Sequence, residues 1–206
     1  MNIGIDIDNV ISNFNEVLLS EYLIHDKELR EKGIINKNAE YIRKGMFDWS
    51  EIEEENFYKE NIERIARKLD LIEGAKEYIN KLHEDGNTIY IITGRDNGEY
   101  LEPYTMTKKW LDSHNIYYDN LILTNAYNKH EKSEKCIENN IDVIIDDSVS
   151  ICRDCINNGI TTLLMDTPYN KYEKSIPKVY NWKEIFEYII EYKKEKLKKK
   201  VILTRY

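Results

Sequence analysis

Short, uniformly apolar runs alternate along this chain with longer segments in which apolar residues recur every three or four positions. Ile3-Gly4-Ile5-Asp6-Ile7, Thr88-Ile89-Tyr90-Ile91-Ile92, Leu121-Ile122-Leu123, Val143-Ile144-Ile145 and Thr161-Thr162-Leu163-Leu164 read as strands buried on both faces. Between them, helical periods run through residues 73–85, 105–113, 131–139 and 149–157, with Gly86 and Gly159 where two of the helices stop. This alternation predicts an α/β fold, a doubly wound parallel sheet with helices on both faces. A last helix, opened by Asn181 and Glu184 as a capping pair, displays Trp182, Ile185, Phe186, Ile189 and Ile190.

About 75 residues separate the first strand from the second, far more than a crossover needs. Ser12 is placed to cap a helix bearing Phe14, Val17, Leu18, Tyr22 and Leu23. Ser50 and Glu53 form a capping box ahead of Tyr58, Ile62, Ile65 and Leu69. The excess therefore predicts a small helical cap, residues 15–72, inserted into a core made of residues 1–14 and 73–206. Phe47 and Trp49 lie between the two cap helices. They are candidate contacts for a flat ligand such as a base, although aromatics in such positions more often fill a core.

Composition narrows the class. A 206-residue chain with 41% hydrophobic and 33% charged residues and a mean hydropathy of −0.65 reads as an ordinary globular protein of one domain with an insertion. No apolar stretch approaches the ~18 residues of a membrane span, and no basic region precedes the first strand, so a cytoplasmic location is expected and no membrane partner. The net charge of −8 disfavours duplex nucleic acid as a partner. The basic run at residues 193–200 reads as a solvated helix end. Cys136, Cys152 and Cys155 are too few for a disulfide framework, and Cys152-x-x-Cys155 falls inside a helical pattern that favours packing.

The chemistry sits where apolar runs stop. In a strand, residues two apart share a face, so Asp6 and Asp8 project together at the end of the first run. Two carboxylates ~5 Å apart repel by ~3 kcal/mol even at an effective dielectric of 20. A bound cation relieves this, and Mg²⁺ suits carboxylate and water ligands. In an open parallel sheet ligands bind at the carboxyl ends of the strands, which draws attention to Thr93-Gly94-Arg95 and Asp146-Asp147-Ser148. A helix beginning near His130-Glu131-Lys132 brings a cation to the same rim. Lys132 is the best placed, Lys129 the fallback, and Lys135 sits too far down the helix.

Taken together, D-I-D-N-V, I-I-T-G-R, the helix-opening lysine and I-D-D-S resemble the haloacid dehalogenase superfamily of aspartate-nucleophile phosphatases. Within it, the helical insertion, the stretch from His130 into Ile141-Asp142-Val143-Ile144-Ile145-Asp146-Asp147, and Thr167-Pro168-Tyr169-Asn170 are similar to the 5′(3′)-deoxyribonucleotidases and their bacterial relatives. The resemblance implies that Asp6 is the nucleophile and forms an aspartyl-phosphate, with Asp8 as general acid and base. It implies Mg²⁺ held by Asp6, the Asp8 carbonyl and Asp146, with Asp147 in support. Thr93, Gly94 and Lys132 would bind the phosphoryl oxygens. None of the four histidines is needed in this scheme.

The expected activity is Mg²⁺-dependent hydrolysis of a small phosphomonoester, a nucleoside or deoxynucleoside monophosphate, with a sugar phosphate as the alternative substrate. An alternative of another class is a signalling module that accepts a phosphoryl group without turnover. A homodimer is left open. Two features depart from the common pattern: Asn9 stands where a glycine is usual, and Val10 where a threonine is. For Arg95 two roles stand open, a substrate contact or a surface partner for an acid.

Overall fold

The first strand is shorter than its apolar run. In the computed structural model, which describes residues 1–39, 41–96 and 98–203, β1 covers Asn2–Ile5 and the ladder ends there. The Asp6 amide adds one more bond, to the Ile145 carbonyl at 3.0 Å. The chain then folds on itself, and the amides of Ile11 and Ser12 both donate to the Ile7 carbonyl at 2.9 Å. Asp6 and Asp8 therefore stand on the strand exit and the tight loop after it, rather than in the strand itself.

The remaining strands are β2 (Thr88–Thr93), β3 (Asn120–Leu123), β4 (Val143–Asp146), β5 (Thr161–Met165) and a two-residue β6 (Lys178–Val179). All pair in parallel, in the order β3-β2-β1-β4-β5-β6. The chain winds one way from β1 to β3 and the other way from β4 to β6, so the carboxyl ends of β1 and β4 flank the switch in strand order. Two residues are too few for the sequence pattern to mark β6.

Helices cover the sheet as the periodicity predicts: α3 (Ala75–Glu84), α4 (Pro103–His114), α5 (Glu131–Glu138), α6 (Val149–Asn157) and α7 (Trp182–Leu203). Gly86 and Gly159 follow α3 and α6 with φ of +75° and +78°. The Asn181 side chain accepts the Glu184 amide at 3.0 Å, as a cap should. The basic run lies on α7, and the side chains of Lys199 and Lys200 lie outside the described residues. All three cysteines are free and buried, as packing requires. Among the described residues no helix is long and apolar enough to cross a membrane.

Between β1 and α3 the chain forms α1 (Phe14–Leu29) and α2 (Glu51–Ala66). The capping box of Ser50 and Glu53 opens α2 as expected. Ser12 does not cap α1; its hydroxyl donates to the Ile7 carbonyl and to Asp8 Oδ1, both at 3.2 Å, and Asn13 takes the cap position. Phe14, Leu18 and Tyr22 form the buried stripe of α1, while Leu23 is exposed. Tyr22 stacks on Trp49 with centroids 4.6 Å apart and packs against Phe47 and Phe57. These aromatics belong to the same buried cluster as Ile3, Ile5 and Ile145 of the sheet.

Candidate active site

The site begins with the turn after β1. Asn9 has a φ of +63°, a left-handed backbone that glycine adopts freely and that asparagine tolerates better than most residues. The substitution for glycine is thus compatible with the turn. Val10 is fully buried, and its carbonyl accepts a hydrogen bond from Trp182 Nε1 at 2.8 Å. The turn that a threonine hydroxyl would help to hold is anchored here through the backbone, from α7.

At the sheet's carboxyl edge, Lys132 Nζ lies 2.7 Å from Asp6 Oδ1 and 2.7 Å from Asp146 Oδ2. All three side chains are buried. The first turn of α5 delivers the lysine, and neither neighbour replaces it. Lys129 lines the cleft above the acids, and Lys135 pairs with Glu138 on the surface. Burial opposes the Lys132 charge, but Asp146 and Asp6 outweigh it and raise its pKa above the ordinary lysine range. Asp6 is pushed up to about 7, first by burial and then by the charges of Asp146 and Asp8, which Lys132 only partly offsets. Asp147 is raised well above its usual range by burial and by Asp146.

Arg95 is neither exposed nor free. It is 1% exposed, and it donates from Nε to Asp8 Oδ2 at 3.0 Å and from Nη2 to Asp8 Oδ1 at 2.5 Å. The surface-partner alternative therefore has the right partner type and the wrong location. Thr93 is fully buried, and its hydroxyl has no partner among the described residues. Gly94 lines the cleft close to another backbone: a Cβ there would meet Ala126 Cα at 3.4 Å.

Asp6, Asp8, Gly94, Lys132, Asp146 and Asp147 line a cavity of about 570 Å³, whereas buried Thr93 and Arg95 are not part of its lining. A second cavity of similar volume shares Val149, Tyr169 and Asn170 with it but holds none of the four acids. Phe47 and Trp49 line neither role assigned to a base: they sit in the aromatic cluster, and Trp49 Nε1 donates to buried Asp26 Oδ1 at 2.8 Å. The expectation of base contacts from these two residues is corrected by their burial. Tyr58, Tyr100 and Tyr127 face the cavity instead, with Arg43, whose guanidinium lies 4.5 Å over the Tyr58 ring. Asn170, which the sequence placed in a motif without a role, is buried, and its Nδ2 donates to the carbonyls of Asp147 at 3.0 Å and Met165 at 2.7 Å.

The charge of the acids bears on a metal. Ionised together, Asp6, Asp8, Asp146 and Asp147 carry two more charges than Lys132 and Arg95 supply, and Asp6 and Asp147 are raised first by burial and then by the neighbouring carboxylates. Carboxylate oxygens are the donors that a hard divalent cation prefers, so the set fits Mg²⁺. Among the described residues no three acidic, histidine or cysteine side chains converge to chelate an ion as they stand; Lys132 occupies the gap between Asp6 and Asp146, and Arg95 holds Asp8.

The family described as 5′ nucleotidase, deoxy (pyrimidine), cytosolic type C protein (NT5C) has a model that matches residues 1–195. The chain belongs to this nucleotidase family. As a member it is a phosphoric monoester hydrolase, which sets aside the signalling module without turnover. A nucleotidase from Clostridium acetobutylicum is 28% identical over 196 residues, covering 90% of this chain and 92% of that protein. A haloacid dehalogenase-like hydrolase from Streptococcus pneumoniae shares the fold, with a TM-score of 0.66 at 15% identity over 91% of this chain and 97% of that one. A hydrolase of the same superfamily from Bacillus subtilis, solved bound to magnesium, has a TM-score of 0.56 at 15% identity, covering 90% and 96%. The NT5C-family chain thus shares its doubly wound fold with these haloacid dehalogenase-like hydrolases.

Proposed function

We propose that this enzyme hydrolyses nucleoside or deoxynucleoside monophosphates through an aspartyl-phosphate on Asp6, with Mg²⁺ held by Asp6, the Asp8 carbonyl and Asp146 and supported by Asp147. The observation that carries the reading is Lys132, buried and 2.7 Å from both Asp6 and Asp146 at the floor of the cleft. A phosphoryl group arriving there brings negative charge to a fixed cation.

Asp6 attacks phosphorus in line; the new P–O bond forms as the bond to the leaving oxygen breaks. Asp8 in its protonated form gives that oxygen its proton and, left as the carboxylate that Arg95 holds, takes one back from the water that attacks phosphorus and frees Asp6. Arg95 fixes the direction of Asp8 through both carboxylate oxygens. The unpartnered Thr93 hydroxyl, the Gly94 amide and Lys132 receive the phosphoryl oxygens. When bound, Mg²⁺ supplies charge that offsets the acids and the phosphoryl group.

Residues 15–72 act as a cap over the cleft in this reading. Support for a nucleotide comes from the family and from Tyr58, Tyr100 and Tyr127 around the cavity, which offer flat surfaces for a base. The test is phosphate release with Mg²⁺ from a panel of nucleoside 5′- and 3′-monophosphates and sugar phosphates. Nucleotides are expected to give the highest kcat/KM, and Asp6→Asn to abolish turnover while remaining folded. A preference for sugar phosphates would overturn the substrate, and an active Asp6→Asn the mechanism.

A further inference from the structure

The residue that departs most visibly from the family pattern links two parts of the molecule. Asn9 Nδ2 donates to Asp147 Oδ2 at 2.8 Å, and Asn9 Oδ1 accepts the Asn15 backbone N–H, in the first turn of α1, at 2.7 Å. Each end of the amide has the partner its chemistry requires. Turned over, the carbonyl would face a carboxylate and the NH₂ would face an N–H, so the network fixes the orientation. Among the described residues no other hydrogen bond reaches the Asp147 carboxylate, while Asn170 holds its backbone carbonyl. A glycine at position 9 would satisfy the left-handed turn and make neither side-chain bond.

We infer that Asn9 is a positioning residue that aims the Asp147 carboxylate at Mg²⁺ and ties it to the first turn of α1. The inference rests on the Mg²⁺ site proposed above. Partners that orient metal-binding carboxylates are worth 10- to 100-fold in affinity in other proteins. The same bridge gives α1 a stake in the metal: the helix begins with Phe14 and about two turns later presents Tyr22, which stacks on Trp49. Two events joined through one rigid amide favour each other reciprocally, so ordering Asp147 by Mg²⁺ also protects the Asn15 amide.

The experiment measures Mg²⁺ affinity by calorimetry and Asn15 amide exchange by NMR, for the wild type, Asn9→Gly, Asp147→Ala and the double variant. Glycine suits the positive φ, so Asn9→Gly is expected to fold. In the wild type, Mg²⁺ binds and slows Asn15 exchange. Asn9→Gly is expected to weaken Mg²⁺ binding about tenfold and to abolish the Asn15 response, with no further loss when added to Asp147→Ala. Affinity within twofold of the wild type in Asn9→Gly, even with a lowered Tm, overturns the inference and leaves the Mg²⁺ site standing. Equal losses in both backgrounds also overturn it, because the effect would then bypass Asp147. A wild type that binds no Mg²⁺ overturns both readings together.

Discussion

Arg95 grips Asp8 by both carboxylate oxygens from a site closed to solvent. One guanidinium therefore sets the direction of the group assigned to proton transfer, and a planar fork does this where a point charge cannot. Arg95→Lys keeps the charge and loses the fork. Its kcat is expected to fall about 100-fold with KM changed less than threefold, in line with the usual size of general acid and base catalysis. Steady-state kinetics on the best nucleotide checks this, and an unchanged kcat would separate Arg95 from the proton transfer.

Lys132 and Lys129 stand three residues apart with different surroundings. Removing Lys132 leaves Asp6 and Asp146 buried without their shared cation. Lys132→Met is expected to lower kcat/KM by at least 100-fold and to cost about 3 kcal/mol in urea unfolding at neutral pH without metal. Lys129→Ala is expected to change kcat/KM by less than about fivefold and leave stability unaltered. Reversal of these two results would assign the phosphate to the wrong lysine.

The raised pKa of Asp6 has a definite sign in stability. Its carboxyl moves from an ordinary 3.8 to about 7 in the folded protein, chiefly through burial, so the folded state holds this proton longer than the unfolded chain. The associated stability is full below the unfolded value and is lost as pH rises through the folded one. Without metal, the wild type is expected to lose stability relative to Asp6→Asn between about pH 4 and 7. Mg²⁺ requires the ionised form, so its stabilising effect is expected to be larger at about pH 8 than at about pH 5.5. Thermal melts of both proteins across this range, with and without Mg²⁺, measure the difference; parallel profiles would contradict the buried-acid assignment.

The aromatic residues divide by location. Trp49 packs on Tyr22 and bonds Asp26 away from the cleft. Trp49→Phe is expected to cost about 1–2 kcal/mol in unfolding, for the lost hydrogen bond and volume, with KM unchanged. Tyr58→Ala, at a ring that faces the cavity, is expected to raise KM for a nucleotide about tenfold or more and leave KM for a small acyclic phosphomonoester within twofold. Equal effects on both substrates would remove Tyr58 from base recognition.

Local periodicity, and groups that need compensation, made part of this protein legible in its sequence. Alternating apolar runs and helical stripes dictated the doubly wound sheet. Acids at the ends of apolar runs marked Asp6, Asp8 and Asp146, because a charge beside a buried strand needs a partner. Which partners meet is set by packing between elements distant in the chain. Ile91 pairs with Ile5 and Ile5 with Ile145 across three neighbouring strands, and this register sets Asp6 and Asp146 side by side so that Lys132 Nζ lies 2.7 Å from each. The same register turned Arg95 inward onto Asp8. Asn9 and the aromatics show why the rest could not be read. Whether a polar side chain bridges two elements, or a ring faces a cleft or a core, depends on the packing of segments far apart in the chain, which no single stretch encodes.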